Sequence, residues 1–157
     1  DFILPMSVVV EPTERDTDGL ALSSRHVYLG PRRRSVAIVL PGALFTAAGV
    51  YTSGGLRDRA SILGAADNFI AAAANAQSEL PPTERVLFEV DYISLADPDT
   101  LVEVDEVDPS RGAILSGAMK MLPVEEAKKG EDLGFSGGPS VRLIDNIILK
   151  PQEPKDA

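Results

Sequence analysis

The 157-residue chain contains no cysteine. That excludes disulfides, thiolate zinc sites and cysteine nucleophiles together. It fits a reducing compartment and, with no targeting signal in view, predicts a cytoplasmic protein. Histidine is nearly absent too, with His26 the single example. No uninterrupted apolar run approaches the roughly 20 residues of a bilayer-spanning helix, so no membrane partner is expected. The opening Asp1-Phe2-Ile3-Leu4-Pro5-Met6 has neither a basic start nor a long apolar core and does not read as a signal peptide. Opening on Asp1 rather than methionine predicts that the chain begins within a longer protein. Internal repeats and coiled-coil heptads are missing. Positive charge is in deficit: 15 Lys and Arg against 24 Asp and Glu give a net charge of −9. Nucleic acid, which needs a basic surface against its phosphates, is therefore not an expected partner.

What is present is ordinary for one globular domain: 44% hydrophobic and 25% charged residues, in a chain long enough to bury a core. The charge is unevenly spread. Arg25, Arg32, Arg33 and Arg34 crowd one stretch, whereas acids dominate from Glu79 to Asp108. A local basic patch on an acidic domain suits a small anion.

Ser7 to Val10 reads as a short strand, and the polar segment around Asp16, Asp18 and Gly19 as a loop. Pro31 suits the first turn of a helix, along which Val36, Val39, Leu40, Ala43, Leu44 and Ala47 recur at helical spacing. Pro41 should kink it, and Ser53-Gly54-Gly55 should end it. A second helix is predicted from Leu56 to about Gln77, ending before Pro81-Pro82, with Ile62, Leu63, Ala66, Phe69, Ile70 and Ala73 on one face. Three strands follow: Val86 to Ile93, with Val86, Phe88, Val90 and Tyr92 on one face, then Ala113 to Leu122, then Val141 to Leu149. Helices followed by strands without crossover helices predict an α+β fold, two helices packed on one face of a small three-stranded antiparallel sheet. The expected layout is an entry strand and loop over residues 1–30, the α+β unit over 31–150 with a flexible insertion at 123–140, and a frayed tail at 151–157.

Chemistry concentrates in Asp16-Thr17-Asp18-Gly19-Leu20-Ala21-Leu22-Ser23-Ser24-Arg25. Two hydroxyls beside a guanidinium with five donors make a good phosphate-binding set, because charge-assisted bonds to phosphate oxygens are short and strong. The bland alternative, a decorated surface loop, has the same composition. A second feature separates the two readings. The run from Arg15 to Arg25, with Tyr28-Leu29 after it, closely resembles the signature of the pantothenate synthetases (pantoate–β-alanine ligases). Arg142-Leu143-Ile144-Asp145-Asn146 resembles a motif near that family's C-terminus. The resemblance spans roughly residues 8 to 150, specific at its two ends and loose between.

The resemblance implies the C-terminal lid domain of a nucleotidyltransferase-like ligase that uses ATP to convert pantoate to an acyl-adenylate. Pyrophosphate leaves, and β-alanine then attacks the adenylate to give pantothenate and AMP. Carried onto this chain, Ser23, Ser24 and Arg25 would contact ATP phosphates, with Ser23 and Arg25 acting in catalysis. Leu22 would lie near the adenine, and Glu14 would approach the nucleotide. Mg2+ would accompany the nucleotide, with no metal ligand expected from this chain. The same resemblance implies a missing N-terminal domain, carrying the pantoate site and a paired-histidine nucleotide motif, without which the chain should be inactive.

Two residues depart from the family pattern. His26 stands where an Asn is usual, and Glu14 where an apolar residue is usual. His26 has no carboxylate placed nearby in sequence to tune it, so a tolerated loop substitution explains it better than catalysis. Arg32, Arg33 and Arg34 are expected to be a solvated helix start, against the macrodipole. Asp16, Asp18, Asp97, Asp99, Asp105 and Asp108 lack the spacing of a calcium loop, and Asp145-Asn146 reads as a structural polar pair. One alternative function is a non-catalytic interaction module that keeps this fold. Another is an unrelated nucleotidyltransferase domain, which leaves Arg142 to Asn146 unexplained.

Overall fold

The structure, a computed structural model, describes Arg15, Gly19, Leu20 and residues 24–152, and of Ser24 only the backbone. The expected strand at Ser7 to Val10 lies outside the described residues. A short 3-10 helix, Ser24–Tyr28, leads into α1 (Gly30–Ala37) and α2 (Val39–Thr52). α3 (Arg59–Ser78) is followed by β1 (Phe88–Ala96), β2 (Ala113–Met121) and β3 (Val141–Leu149). The strands form an antiparallel sheet in the order β1-β2-β3. α2 packs on β2 and β3, and α3 lies against α2 and β1. The expected α+β arrangement, helices on one face of a three-stranded antiparallel sheet, is the one observed.

The break between α1 and α2 falls at Ile38, three residues before Pro41. The cause is still Pro41. It has no N–H to give to the Ala37 carbonyl, and its ring crowds that carbonyl, so the turn opens upstream. The helical ladder resumes with Gly42 N–H donating to Ile38 O at 2.9 Å. α3 begins at Arg59 rather than at Leu56. Backbone groups just before it pair instead with the β1–β2 loop: Val107 N–H donates to Arg57 O at 2.9 Å and Arg59 N–H to Asp105 O at 2.8 Å. Asp58 then caps α3, accepting from Ser61 N–H at 2.9 Å.

The strict alternation expected in β1 fails at Asp91. A bulge there sets Val90 opposite Met119 but Tyr92 opposite Ala118. One extra residue turns every later side chain over, so Tyr92 joins the sheet face away from the helices, while Ile93 and Leu95 take the core face. Gly117 pairs with Ile93, and a Cβ there would come within 2.9 Å of Ile93 and 3.1 Å of Leu40. The absent side chain lets α2 approach the sheet closely.

Leu40, Ala43, Leu44, Ala47 and Tyr51 of α2 are buried with Leu95, Leu115, Met119, Leu143 and Leu149 of the sheet. The helical run Gly30–Thr52 is, by length and composition, apolar enough to cross a membrane. Counting only unbroken apolar residues missed it. Its apolar side chains make the core just described, a role that produces the same composition. Past β3, Gln152 N–H donates to Pro109 O at 2.7 Å, and the buried Tyr51 donates its hydroxyl to Lys150 O at 3.1 Å.

Candidate functional site

The two sequence motifs meet in space. Arg15 grips Asp145 of β3 with both ends of its guanidinium, at 2.6 and 2.8 Å, and also donates to Gly19 O at 3.0 Å and Asn146 O at 3.2 Å. Its cation lies 4.9 Å from the centre of the Phe45 ring on α2. The Asp145 side chain is 1% exposed. A buried carboxylate demands such a partner, because either charge alone would be strongly disfavoured. Asp145 is therefore structural, as its sequence context suggested, and Arg15 is its counter-ion. The clamp ties the start of the polar loop to β3.

At the loop's other end, Arg25 projects from the 3-10 helix as an exposed residue. Arg33 fixes that helix. It is wholly buried, contrary to the expectation of a solvated helix start. It donates to the carbonyls of Tyr28 at 2.5 Å, Leu29 at 3.1 Å, Leu122 at 3.1 Å and Pro139 at 2.7 Å. Burial lowers its pKa, and among the described residues no carboxylate pairs with it. Arg32 also departs from expectation, forming an ion pair with Glu131 in which Nε donates at 2.8 Å. A planar guanidinium can bridge carbonyls on three separate segments, which a lysine ammonium cannot.

Residues 123–140, expected from composition to be a flexible insertion, lie against this helix. Gly30 and Gly134 both have positive φ, 72° and 88°. A Cβ on Gly30 would sit 2.6 Å from Asp132 O, and one on Gly134 2.6 Å from the Tyr28 carbonyl carbon. Only glycine allows both the conformation and the contact. Phe135 stacks edge-on to Tyr28 with ring centres 6.3 Å apart.

These contacts shape a cleft of about 230 Å³ lined by Arg25, Tyr28, Pro139, Ser140, Val141 and Arg142. Arg142 donates from Nε to Asp91 at 2.7 Å, and its guanidinium lies 5.9 Å from the Tyr92 ring centre. The Arg142 Nη groups have no acceptor among the described residues. The Asp91 bulge contributes here as well, since it brings Tyr92 onto the face that carries Arg142. Arg142 and Tyr28 were quoted for the resemblance but not singled out as site residues. Their common signal was proximity in sequence to a motif, which does not reveal a shared cleft.

Of the sequence-predicted site residues, Arg25 is at this cleft and Ser24 is in the same 3-10 helix. Glu14, Leu22 and Ser23 lie outside the described residues. Among the described residues no group of three or more His, Asp or Glu side chains is arranged to hold a metal ion. A larger groove of about 690 Å³ between α2 and α3 has, among the described residues, Ser35 and Gln77 as its only polar side chains. Its described lining is apolar surface.

Comparison with known proteins bears directly on the paired motifs. A family model described as Pantoate-beta-alanine ligase matches residues 1–148. Pantothenate synthetase of Thermobifida fusca (strain YX) is 42% identical over 150 residues, covering 95% of this chain and 40% of the relative. That of Chloroflexus aggregans is 37% identical over 149 residues, covering 95% of this chain and 43% of the relative. The crystal structure of the Thermus thermophilus pantothenate synthetase superimposes with a TM-score of 0.61 at 32% identity, over 91% of this chain and 40% of that one. The chain thus spans about two fifths of the length of these relatives. Sequence, fold and both motifs agree, and the chain belongs to the pantoate–β-alanine ligase family.

Proposed function

We propose that this chain is the C-terminal, lid-forming part of a pantoate–β-alanine ligase, closing over ATP and pantoate held by an N-terminal domain of the same enzyme. The reaction joins pantoate to β-alanine through a pantoyl-adenylate, releasing pyrophosphate and then AMP. In this reading Ser23, Ser24 and Arg25 contact the ATP phosphates, Leu22 borders the adenine and Glu14 approaches the nucleotide. Mg2+ enters with the nucleotide, carried by its phosphates. The setting is cytoplasmic, and neither nucleic acid nor membrane is a partner.

The observation that carries this reading is the placement of Arg25. Arg15, ahead of the Ser-Ser-Arg segment in sequence, is clamped to Asp145, the buried Arg33 holds the 3-10 helix, and Arg25 stands at a cleft edge. Adenylation builds charge on the α-phosphate and on departing pyrophosphate. Donors aimed at that charge before it develops lower the barrier more than they tighten ATP binding. Closure of the loop over a nucleotide held elsewhere also excludes water from the adenylate. Alone, the chain lacks the partner half of the site and is inactive.

The test is complementation: the chain is added to a purified N-terminal half of a related enzyme, and pantoate-dependent AMP formation is followed. Restored activity that disappears with Arg25→Ala supports the ligase reading. If no activity returns and ATP does not protect the Ser23 to Arg25 loop from proteolysis, the chain is a non-catalytic module.

A further inference from the structure

We propose that the connection between β2 and β3, residues 122–140, is a positioning strap for the 3-10 helix, with Phe135 as the positioning residue that acts on the helix through Tyr28. The inference deepens the ligase reading, since Arg25 is the residue that the strap holds in place. The strap itself rests on geometry.

Length is the first observation. β2 and β3 are antiparallel neighbours in unbroken register, from Ala113 opposite Leu149 to Met121 opposite Val141. Strands paired in this way need a turn of about two to five residues. Here the chain runs from 122 to 140 before it rejoins the sheet, with one short 3-10 turn, Phe135–Gly137, on the way. A connection that long and that irregular is uncommon in a folded domain unless it carries a function.

Attachment is the second. The connection is tied down at several points rather than turned out to solvent. Arg85 pairs with Glu125 at 2.6 Å. Arg32 donates to Glu126 O at 3.2 Å and from Nε to Glu131 at 2.8 Å, and Glu131 also accepts from Lys128 N–H at 2.9 Å. Arg33 donates to the carbonyls of Leu122 and Pro139, near the two ends of the connection, and to that of Tyr28, the last residue of the 3-10 helix. One buried guanidinium thus joins strap to helix.

The third is the backbone path between Gly134 and Gly138. Gly134, Ser136, Gly137 and Gly138 all have positive φ, from 57° to 88°. For Ser136 this is a sparsely populated conformation, of a kind that persists where surrounding contacts over-determine it and that gathers at clamps and switches. The path sets the Gly134 backbone against the Tyr28 carbonyl and the Phe135 ring edge-on to the Tyr28 ring. Phe135 is 66% exposed, so burial does not account for its place. Contact with Tyr28 does.

A short 3-10 helix needs such support. Its hydrogen bonds are less well aligned than those of an α-helix, and here one of them is Leu29 N–H donating to His26 O at 3.1 Å. Arg25 and Tyr28 share this helix and line the same cleft, so what fixes Tyr28 also fixes Arg25. A helix held in place before a ligand arrives avoids the ordering cost that binding would otherwise carry.

Hydrogen exchange of the 157-residue chain reads the helix directly. Phe135→Ala removes an exposed ring, and circular dichroism confirms that the variant is folded. Amides of residues 26–29 are expected to exchange about fivefold faster, the worth of one aromatic pair, with α3 at the parental rate. Phe135→Tyr keeps the ring and restores parental exchange. Unchanged exchange at 26–29 in Phe135→Ala, or loss spread evenly into α3, overturns the strap. The complementation assay then separates positioning from assembly. With the chain at saturation, kcat for AMP formation should fall about fivefold in Phe135→Ala, with KM for pantoate unchanged and kcat recovered in Phe135→Tyr. A defect of folding or assembly alone would be overcome by adding more chain. Parental kcat in Phe135→Ala overturns the positioning role and leaves the ligase reading standing. Faster exchange in Phe135→Ala, together with no AMP formation by the parent chain, rejects the ligase reading and leaves the strap standing.

Discussion

At the end of the sheet where Phe88, Met121 and Val141 lie side by side, the prominent polar side chains are arginines: Arg25, Arg32, Arg33 and Arg142. At the other end, where Ala96, Ile114 and Ile148 align, they are aspartates. There Asp97 accepts from Asp99 N–H at 2.8 Å and Thr100 N–H at 3.0 Å, Asp108 accepts from Ser110 N–H at 2.9 Å, and Arg111 pairs with Asp97 at 2.7 Å. The two ends differ in reach as well as in sign. Arg33 joins residues 106 positions apart at Pro139, and Arg15 meets Asp145 across 130 positions. At the aspartate end the contacts of Asp97 and Asp108 close within 14 positions, and the exposed Arg59–Glu103 pair spans 44. Long-range buried bonds hold separate segments in one place, as a binding site requires. Short-range exposed bonds only finish turns. The same sheet therefore has one end held by long-range buried bonds and another finished mainly by exposed turns.

The largest effect expected from breaking this contrast is at the buried clamp. Asp145→Ala leaves the Arg15 cation against Phe45 without its carboxylate and should cost about 3 kcal/mol, read by chemical denaturation. The next is Arg33→Met, which strips several buried carbonyls of their donor and should cost about 2 kcal/mol. Arg33→Lys should recover little of that loss, because an ammonium cannot span the same carbonyls. Hydrogen exchange should locate the damage at residues 132–139 rather than in α3; uniform loss across the chain would contradict a role confined to one end. Gly134→Ala is expected to cost a further, similar or smaller amount, about 1–2 kcal/mol, through its positive φ and the Tyr28 backbone, with loosening of the cleft and an unchanged acidic end.

The smallest effect belongs to the acidic turns and is a pH dependence. The Arg111 hydrogen bond, then the Thr100 and Asp99 amides, hold the Asp97 carboxyl well below the usual range. Ser61 does the same for Asp58, and Ser110 for Asp108. A carboxyl whose pKa is depressed on folding adds stability that is complete above its unfolded value, about 4, and is lost as pH falls through the folded value. Thermal stability should therefore decline below about pH 4, and Asp97→Asn should flatten that decline while leaving hydrogen exchange at residues 132–139 unchanged. If Asp97→Asn altered that exchange, the two ends would not be independent.

Much of the fold could be read from the residues. β3 falls at Val141 to Leu149 as predicted, because a β-branched apolar run bounded by Pro139 and Pro151 marks a strand. The helices were legible from Pro31, Pro41 and the apolar spacing. Boundaries failed where a distant segment competed: α3 starts late because the β1–β2 loop takes the backbone groups around Asp58. β1 was misread at Tyr92 because a bulge leaves no signature in alternating sequence. The two motifs were legible and Arg25 stands at a cleft, but the burial of Arg33 was not. A run of three arginines at a helix start has the same sequence whether it faces solvent or a set of carbonyls.

Sequence alone determined the family, the α+β class and the presence of a phosphate-suited segment, since these follow from residue order and local periodicity. Tertiary structure alone decided that Arg15 answers Asp145, that Arg33 is buried without a counter-ion among the described residues, and that Arg25 and Arg142 share a cleft. Each of those depends on chain segments roughly a hundred residues apart. Their meeting is set by sheet register and helix packing, which no local pattern encodes.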